Sequence, residues 1–468
     1  MLLALLACDP EPPEGCAFSS MAKAPEAAST CPADAGDYDP VATGPAPLVV
    51  MFTVDTLNRA YLDGRHADWD ITPRLDAFFA ESAYLPEVVS VRSLTGVALT
   101  SLLTGRYPRS HGVRDHADQV GTTIDTLPEH LASQGYATRA FISNQCWVVD
   151  GKVDELTCRW NRQDESDQDQ KDEELVTAFT RALDDLSGPT FLWIHLVDPH
   201  TPYDAREPYY DQFHPEPPAG DFDPGVEGAL ADVNLGERSI TPEEHAQVEA
   251  AYASQVALVD ARFGEVLDAL SARGLDDAIV VFGADHGEEL GLHGHYYWHS
   301  CSTFNASLTL NYAIRAPGRI AGGAVMASPV SSTDIAPTIA ELAGVPWTAS
   351  LDGTSLVDDF RACREPTRPA YFERATEGAG MVVDGHKLVL EPEGWTSACE
   401  PYTDDVPYVM AKEQLYDIES DPDECVNITD DEPELFDELR GQLCDWITAS
   451  PWVATNNDRN PVVRACGG

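Results

Sequence analysis

The sequence predicts an α/β fold: a large, mostly parallel central sheet flanked by helices, followed by a smaller C-terminal subdomain. Three continuous apolar runs, LVVMFTVD (48–55), TFLWIHLVD (190–198) and AIVVFGAD (278–285), are typical of strands buried on both faces. Helical patterns lie between these runs, and alternating strands and helices favour a parallel sheet covered on both sides. Beyond residue 353 the pattern changes to short strands, turns and a final helix near 432–447.

The N-terminal stretch MLLALLAC resembles the end of a bacterial lipoprotein signal. Its apolar run is too short to span a bilayer, so residues 1–8 are interpreted as a signal remnant with Cys8 as the lipidated residue. Residues 9–45 are acidic and proline-rich and read as a tether. We therefore expect an exported protein in the bacterial periplasm or on the cell surface, anchored through Cys8. An ordinary secretory signal, or a chance match, is the alternative.

The elements after the tether follow in order. A weaker fourth strand is predicted at YATRAFIS (136–143), and the acidic segment 161–185 reads as a solvated helix without a function. The clearest helix follows TPEE, a capping sequence, and carries apolar residues at a 3.6-residue period from Val248 to Leu270. Residues 46–352 are predicted to form the catalytic domain and residues 353–468 the C-terminal subdomain.

The cysteine content and the net charge limit the compartment and the partners that we expect. Eleven cysteines less Cys8 leave ten, widely spread and without CxxC pairs, which favours disulfides in an oxidising compartment over a zinc site. The formal net charge of −50 excludes nucleic acid as a partner, and membrane contact other than through the lipid anchor. An anionic substrate would need a local positive field, most simply a bound metal ion.

Each of the three strong strands ends in an aspartate: Asp55, Asp198 and Asp285. A single such residue is usually a turn or cap residue. However, ligands of open α/β sheets bind beyond the carboxyl ends of the strands, where converging carboxylates would need a cation between them. His286 directly follows Asp285. Two Asp and one His suit one divalent ion, with zinc or manganese favoured and calcium possible.

Thr95, in SVRSLTGVALTSLL, has two interpretations. It precedes a helix predicted at 97–103, where a threonine ordinarily caps the free backbone N–H groups. Alternatively it is a nucleophile at a helix N-terminus, where anions are favoured. A metal ion would lower the pKa of its hydroxyl, so Thr95 is a candidate for both fourth ligand and nucleophile.

Eight segments, among them FTVDTL, SLLTGRYPRSHGV, HLVDPHTPY, FGADHGEELG and STDIAPTIAELAGVP, resemble in identity and order the sulfatases of the alkaline phosphatase superfamily. The resemblance spans about residues 47–446 and implies that superfamily's sandwich fold. It also implies Asp55, Asp285 and His286 as metal ligands. His200 and His299 are implied as residues that contact the anionic ester group, while it leaves Asp198 open as ligand or scaffold.

Several positions depart from the family pattern. True sulfatases place a Cys or Ser that matures to formylglycine where Thr95 stands, and threonine does not undergo that oxidation. The customary second Asp is Thr56, and SNQCW, with Asn144 as a candidate substrate contact, replaces the Lys and His that follow the fourth strand. Arg92 and Arg114 flank the nucleophile loop and could supply part of the missing positive charge.

Together these observations predict a metal-dependent hydrolase or transferase of sulfate or phosphate esters with Thr95 as nucleophile. Its substrate would be an anionic small ester or a glycan. His200 and His299 would orient the anion or protonate the leaving alcohol. A threonine ester has no second hydroxyl with which to expel sulfate, so chemistry favours a phosphoester, whereas family habit favours a sulfuric ester. The alternative is an inactive sulfatase-fold surface protein that binds an anionic glycan.

Overall fold

The computed structural model describes residues 29–33, 35–37, 43–64, 69–116, 118–159, 168–214, 221–226, 228–293, 296–300, 302–374, 378–392, 412–449 and 461–467. Cys8, the signal remnant and most of the predicted tether lie outside these ranges. Within them, no helix is both long and apolar enough to cross a membrane.

The central sheet confirms the predicted fold class. Its strands are β1 (Leu48–Val54), β2 (Ala83–Val89), β3 (Ala137–Ile142), β4 (Glu155–Cys158), β5 (Thr190–Leu196), β6 (Ile279–Ala284), β9 (Thr309–Arg315) and β10 (Val330–Ser331), and a short pair, β7 (Glu289–Leu290) and β8 (Tyr297–Trp298), stands apart. The eight strands lie in the order β10-β2-β9-β6-β1-β5-β3-β4, and only β9 runs antiparallel to its neighbours. β1, β5 and β6 are buried at every position, as strands covered on both faces must be.

Helices cover both faces of this sheet. They are α1 (Pro73–Glu81), α2 (Thr95–Thr104), α3 (Pro108–His111), α4 (Leu127–Ser133), α5 (Gln168–Ala182), α6 (Tyr210–Phe213), α7 (Ala231–Asn234), α8 (Pro242–Ser271), α9 (Asn305–Leu308), α10 (Ile335–Leu342) and α11 (Val357–Ala362). Single 3₁₀ turns occur at Ala35–Asp37, Arg59–Tyr61, Cys146–Val148, Leu183–Asp185 and Ser332–Asp334. α8 begins with the predicted capping box of Thr241 and Glu244.

One helical prediction needs correction. α5 falls in the segment expected to be solvated, yet one of its faces is buried, including Leu175, Phe179 and the carboxylate of Asp172. The segment was predicted to be solvated because most of its residues are acidic or polar, although a few apolar residues pack against the sheet.

The C-terminal part forms a second, antiparallel sheet in the order β11-β12-β13-β14. Its elements are β11 (Ala370–Arg374), β12 (Gly378–Val383), β13 (His386–Leu390), β14 (Glu413–Asp417), α12 (Pro433–Ala449) and α13 (Pro461–Ala465). α12 and α13 pack on one face of this sheet in a separate apolar cluster around Leu388, Leu415 and Leu443. The predicted smaller subdomain and final helix are therefore confirmed.

Three disulfides join described cysteines, one between residues far apart in the sequence and two between residues closer together. Cys31 pairs with Cys363, Cys146 with Cys158 and Cys444 with Cys466. The first of these, with a backbone bridge between Thr30 and Val325, attaches a described piece of the predicted tether to the body of the protein. The expectation of disulfide bonds from the cysteine usage is confirmed.

Candidate active site

Two of the three strand-end aspartates converge at the carboxyl edge of the sheet. Asp55 follows β1 and Asp285 follows β6, and these strands are direct neighbours. With His195 near the end of β5 they form a fully buried group whose ligand atoms all lie within 4.8 Å of one another. Parallel register places all three residues at the same edge, as the sequence pattern predicted for the aspartates.

Asp285 is held so that one carboxylate oxygen points into this cluster. Its Oδ1 accepts backbone N–H groups from Thr56 at 3.3 Å and from His286 at 2.7 Å. Its Oδ2 is buried and has no hydrogen-bond partner. Thr56 adopts a left-handed backbone conformation with φ of 53°, a strained geometry that aims its N–H at Asp285.

Thr95 is the first residue of α2 rather than a residue before it. The N-cap is Leu94, and no side chain caps the helix, so the capping interpretation of Thr95 is wrong. Its hydroxyl instead lies 3.3 Å from Oδ1 of Asp55 and 3.2 Å from Nε2 of His286. The hydroxyl of Thr95 therefore lies between a carboxylate and an imidazole, and its role as a nucleophile stays a prediction.

The histidine rings around Thr95 share one orientation. Nδ1 of His286 faces the carbonyl of Gly287 at 2.9 Å, and Nδ1 of His200 faces the carbonyl of Thr201 at 2.7 Å. Because a carbonyl only accepts, Nδ1 carries the hydrogen in each ring and Nε2 presents its lone pair. The rings are close neighbours: that of His299 lies 4.6 Å from His286 and 5.1 Å from His200, between centroids.

Glu288 holds the ring of His299 through Nδ1. Its carboxylate lies 3.2 Å from Nδ1 of His299, and both side chains are buried. Burial lowers the pKa of His286 and of His195 to about 4, and lowers that of His299 well below its usual value. The three imidazoles are therefore neutral at pH 7, the form that binds metal ions.

The carboxylates and imidazoles fit a divalent ion. Burial and the neighbouring Asp55 raise the pKa of Asp285 well above its usual value, because two carboxylates share a dry site. Among the residues that the structure describes, the buried atoms without a hydrogen-bond partner include Asp285 Oδ2, His195 Nε2 and the hydroxyl oxygen of Thr56. A cation between them would supply the missing partner of each charge and lone pair. Oxygen and imidazole donors suit a divalent ion, and the preference for zinc or manganese stays a prediction.

Asn144 lies at the site but contacts a carboxylate. Its amide donates to Oδ2 of Asp55 at 2.6 Å, so it positions Asp55, and its contact with substrate stays a prediction. Arg92 and Arg114, which were predicted to supply part of the missing positive charge, contact other groups instead. Arg114 pairs with Glu373 at 3.1 Å, and Arg92 donates to the backbone carbonyl of Arg114.

Asp198 does not join the cluster. It forms ion pairs of 2.9 Å with Arg206 and with Arg262, and its backbone N–H donates to Asp172. The hypothesis of three converging carboxylates is thus wrong for this residue, because its carboxylate pairs with two arginines instead. Asp198 has a scaffold role.

Sequence reasoning missed two residues of the site. His195 is the one ionisable residue in the otherwise apolar strand β5. Its position in that strand could have indicated a site residue. Glu288 gave no local signal, since its role depends on a contact with His299 eleven residues later in the chain.

A family model described as Sulfatase matches residues 47–345. The chain belongs to the sulfatase family. This confirms the resemblance and makes the protein, by class, a sulfuric or phosphoric ester hydrolase of a family that generally binds a divalent metal ion. A choline-sulfatase of Rhizobium meliloti (strain 1021) is 27% identical over 443 residues, which cover 82% of each protein. An arylsulfatase of Clostridium perfringens is 27% identical over 270 residues, covering 55% of this chain and 53% of that protein.

Solved structures share the fold. BT4656 in complex with its substrate D-glucosamine-2-N,6-O-disulfate superposes with a TM-score of 0.70 and 17% identity, covering 89% of this sulfatase and 99% of that chain. A phosphonate monoester hydrolase of Agrobacterium radiobacter superposes with a TM-score of 0.66 and 20% identity, over 85% of this chain and 95% of that one.

Proposed function

We propose that this sulfatase-family protein is a metal-dependent hydrolase of sulfate esters that uses Thr95 as its nucleophile. The observation that carries the proposal is the position of the Thr95 hydroxyl, which lies within 3.3 Å of both Asp55 and His286 in a buried cluster. Asp55, Asp285, His195 and His286 would hold one zinc or manganese ion. Bound there, the ion supplies Lewis acidity that lowers the pKa of a hydroxyl and neutralises ester oxygens.

The residues of the chain have distinct tasks in this scheme. Oγ1 of Thr95 attacks the central atom of the ester, and its proton passes to the carboxylate of Asp55, because Nε2 of His286, the other acceptor within reach, would be held by the ion. His200 is partly exposed, so its Nε2 can take up a proton from solvent and pass that proton to the leaving alcohol. Neutral His299, fixed by Glu288, orients the anion. Water then attacks the ester formed on Thr95 and restores the hydroxyl.

A second candidate substrate is a phosphoester. Thr95 lacks the second hydroxyl through which a formylglycine hydrate expels sulfate, so its ester must be resolved by direct attack, which phosphoryl intermediates undergo readily. The choline-sulfatase and arylsulfatase relatives favour the sulfuric ester. The likeness to the phosphonate hydrolase concerns the fold and does not decide between the two.

The test compares p-nitrophenyl sulfate, p-nitrophenyl phosphate and bis-p-nitrophenyl phosphate with added zinc or manganese, for wild type, Thr95→Ser and Thr95→Ala. We expect Thr95→Ala to reduce kcat by about 10³-fold or more with its melting temperature nearly unchanged, since the nucleophile is lost but little packing is. Thr95→Ser keeps the hydroxyl and should retain part of the rate.

The substrate that shows this Thr95 dependence identifies the ester class. A rate that is unchanged in Thr95→Ala would refute the nucleophile. Absence of turnover with every ester would favour the alternative, a sulfatase-fold surface protein that only binds an anionic glycan.

A further inference from the structure

The segment 422–424 of the C-terminal subdomain contacts the catalytic domain at His293, which lies three residues beyond β7. Nε2 of His293 lies 2.8 Å from the backbone carbonyl of Asp423, and Nδ1 of the same ring lies 2.9 Å from Oε2 of Glu289. The side chains of His293 and Glu289 are both buried. One imidazole ring therefore joins a carboxyl group of the catalytic domain to the backbone of the subdomain.

The partners of this ring require it to carry two hydrogens. A carbonyl only accepts, so Nε2 of His293 holds a hydrogen. Nδ1 faces a carboxyl group whose other oxygen accepts the hydroxyls of Ser302 at 2.6 Å and Ser307 at 3.1 Å. Two hydroxyl donors favour the ionised carboxylate, so the proton between Glu289 and His293 stays on the ring. His293 is thus an imidazolium in a buried ion pair.

A second buried ion pair belongs to the same cluster. Nζ of Lys387 lies 2.6 Å from the carboxylate of Glu424, and both residues come from the C-terminal subdomain. Asn305 of the catalytic domain bridges this pair, because its Oδ1 accepts Lys387 at 3.1 Å and its backbone N–H donates to Glu424. Lys387 neutralises Glu424, so the charge of His293 is balanced by Glu289.

Glu289 also holds the segment that carries His299. Ser302, which donates its hydroxyl to Glu289, donates its backbone N–H to the carbonyl of His299 at 2.6 Å. The hydroxyl of Ser93 lies 2.7 Å from the carbonyl of Ser302 and 3.2 Å from that of His299. Ser93 stands two residues before Thr95. Hydrogen bonds therefore run without interruption from the ion pair to His299 and to the loop before the proposed nucleophile.

We propose that His293, in its charged form, is a positioning residue of the active site: it holds the segment that carries His299 against the C-terminal subdomain, and loss of its proton releases that segment. The proposal rests on the proposed function, because it concerns how His299 is held towards the anion. A deprotonated Nδ1 would present its lone pair to the carboxylate of Glu289, so the contact would change from attraction to repulsion and leave a buried charge unpaired.

The charges around the ring give the direction of the pH dependence. Burial by itself lowers the pKa of His293, but Glu289 outweighs burial and, with Glu424, raises the pKa above its usual value. The carboxylate of Asp423 also acts electrostatically on the ring, and Lys387 is paired with Glu424. Because the folded pKa exceeds the unfolded value, the contact is complete at lower pH and is lost as the pH rises through the folded pKa. We expect kcat/KM to fall by about tenfold there.

The experiment follows kcat/KM of the zinc-loaded enzyme from about pH 6 to about pH 10, with the p-nitrophenyl ester that it hydrolyses. Glu289→Gln is the decisive variant. Its amide can donate to Nδ1 of a neutral His293, while its oxygen still accepts the hydroxyls of Ser302 and Ser307. The contact then needs no proton on Nδ1, so kcat/KM of this variant should stay level where that of the wild type falls.

His293→Gln removes the imidazolium. Its kcat/KM at neutral pH should already be about tenfold below that of the wild type and should show no further alkaline fall. His111→Gln is the matched control. His111 is also buried, but burial lowers its pKa to about 3, so this variant should keep the alkaline fall of the wild type.

NMR of the histidine side chains reads the same ring without turnover. The resonance that disappears in His293→Gln identifies the ring. We expect both of its nitrogens to be protonated at pH 7 in the wild type, with a titration midpoint that moves to lower pH in Glu289→Gln. If no ester is hydrolysed, the Kd of inorganic sulfate for the zinc-loaded protein replaces kcat/KM in the same pH series.

A neutral His293 at pH 7, an alkaline fall that survives in Glu289→Gln, or a wild type without such a fall would overturn the inference. These results are distinct from a failure of the proposed function, which would appear as a rate independent of Thr95 whatever the protonation of His293.

Discussion

Two pairs of buried carboxylates lie beside the central strands, and they are neutralised differently. Asp172 and Asp198 share Arg262, at 3.6 and 2.9 Å, and Asp198 also pairs with Arg206. Asp55 and Asp285 have no Arg or Lys within ion-pair distance among the residues that the structure describes. Their contacts with the described residues are backbone N–H groups, an amide, a hydroxyl and a neutral imidazole.

The difference shows that arginine side chains neutralise the first pair, whereas the second pair has no described cationic side chain beside it and can bind a metal ion. In both pairs burial and the adjacent carboxylate raise a pKa, to about 7 for Asp172 and well above the usual value for Asp285. Arginine offsets that repulsion in the first pair. In the second pair the repulsion is left in place, which is the arrangement expected of a metal site.

Of the substitutions that test this comparison, we expect Asp285→Asn to have the largest effect on metal binding and activity. Removing one carboxylate and its ligand oxygen should take metal content from about one ion per chain to nearly none and reduce ester turnover by about 10⁴-fold. Elemental analysis of the purified protein and steady-state rates measure the two effects.

The sign of its stability effect is equally diagnostic. Excess metal at about 100 times its Kd should stabilise the wild type by about 2.7 kcal/mol and the variant not at all. In chelator, Asp285→Asn should be as stable as the wild type or more stable, because it removes like-charge repulsion. A variant that still binds stoichiometric metal would contradict the assigned site.

Asp198→Asn tests the other pair. We expect a loss of about 3 kcal/mol in the free energy of unfolding, since Arg206 and Arg262 lose their buried partner, while metal content and kcat of the folded enzyme change less than about threefold. Denaturant melts and metal analysis on the same sample check this. Lost metal with unchanged stability would mean that Asp198 belongs to the metal site after all.

Glu373 extends the comparison to pH. Burial raises its pKa, but Arg109 and Arg114 outweigh burial and lower it to about 2. Its folded pKa is below its unfolded value, so the stabilisation is complete at pH above about 5 and lost as pH falls towards 2. We expect this carboxylate to account for about 2–3 kcal/mol of acid destabilisation.

Glu373→Gln supplies the control for this prediction. The variant lacks the titrating group, so its free energy of unfolding should fall less steeply between pH 5 and pH 2 than that of the wild type. Parallel curves for the two proteins would show that the two arginines do not hold the carboxylate charged.

Histidines of the fold and histidines of the site also differ in which ring nitrogens have partners. His111, like His286, is fully buried, but its Nδ1 accepts the backbone N–H of Val113 and its Nε2 contacts Ser101 at 2.7 Å. Both nitrogens are thus used within the fold. At His200, His286 and His299, Nδ1 is engaged by a carbonyl or a carboxyl group, which leaves Nε2 to face the site.

The sequence by itself predicted the sheet, because uninterrupted apolar runs such as those of β1 and β6, separated by helical patterns, are typical of strands buried on both faces. It also placed Asp55 and Asp285 at the same edge, since parallel strands end there, although the same argument applied equally to Asp198. Only the tertiary structure decided that Asp198 belongs to Arg206 and Arg262, that His195 joins the cluster, and that Thr95 does not cap its helix. The physical reason is that periodicity reports which face of an element is buried, whereas the partner of a buried charge is chosen by contacts between residues far apart in the chain.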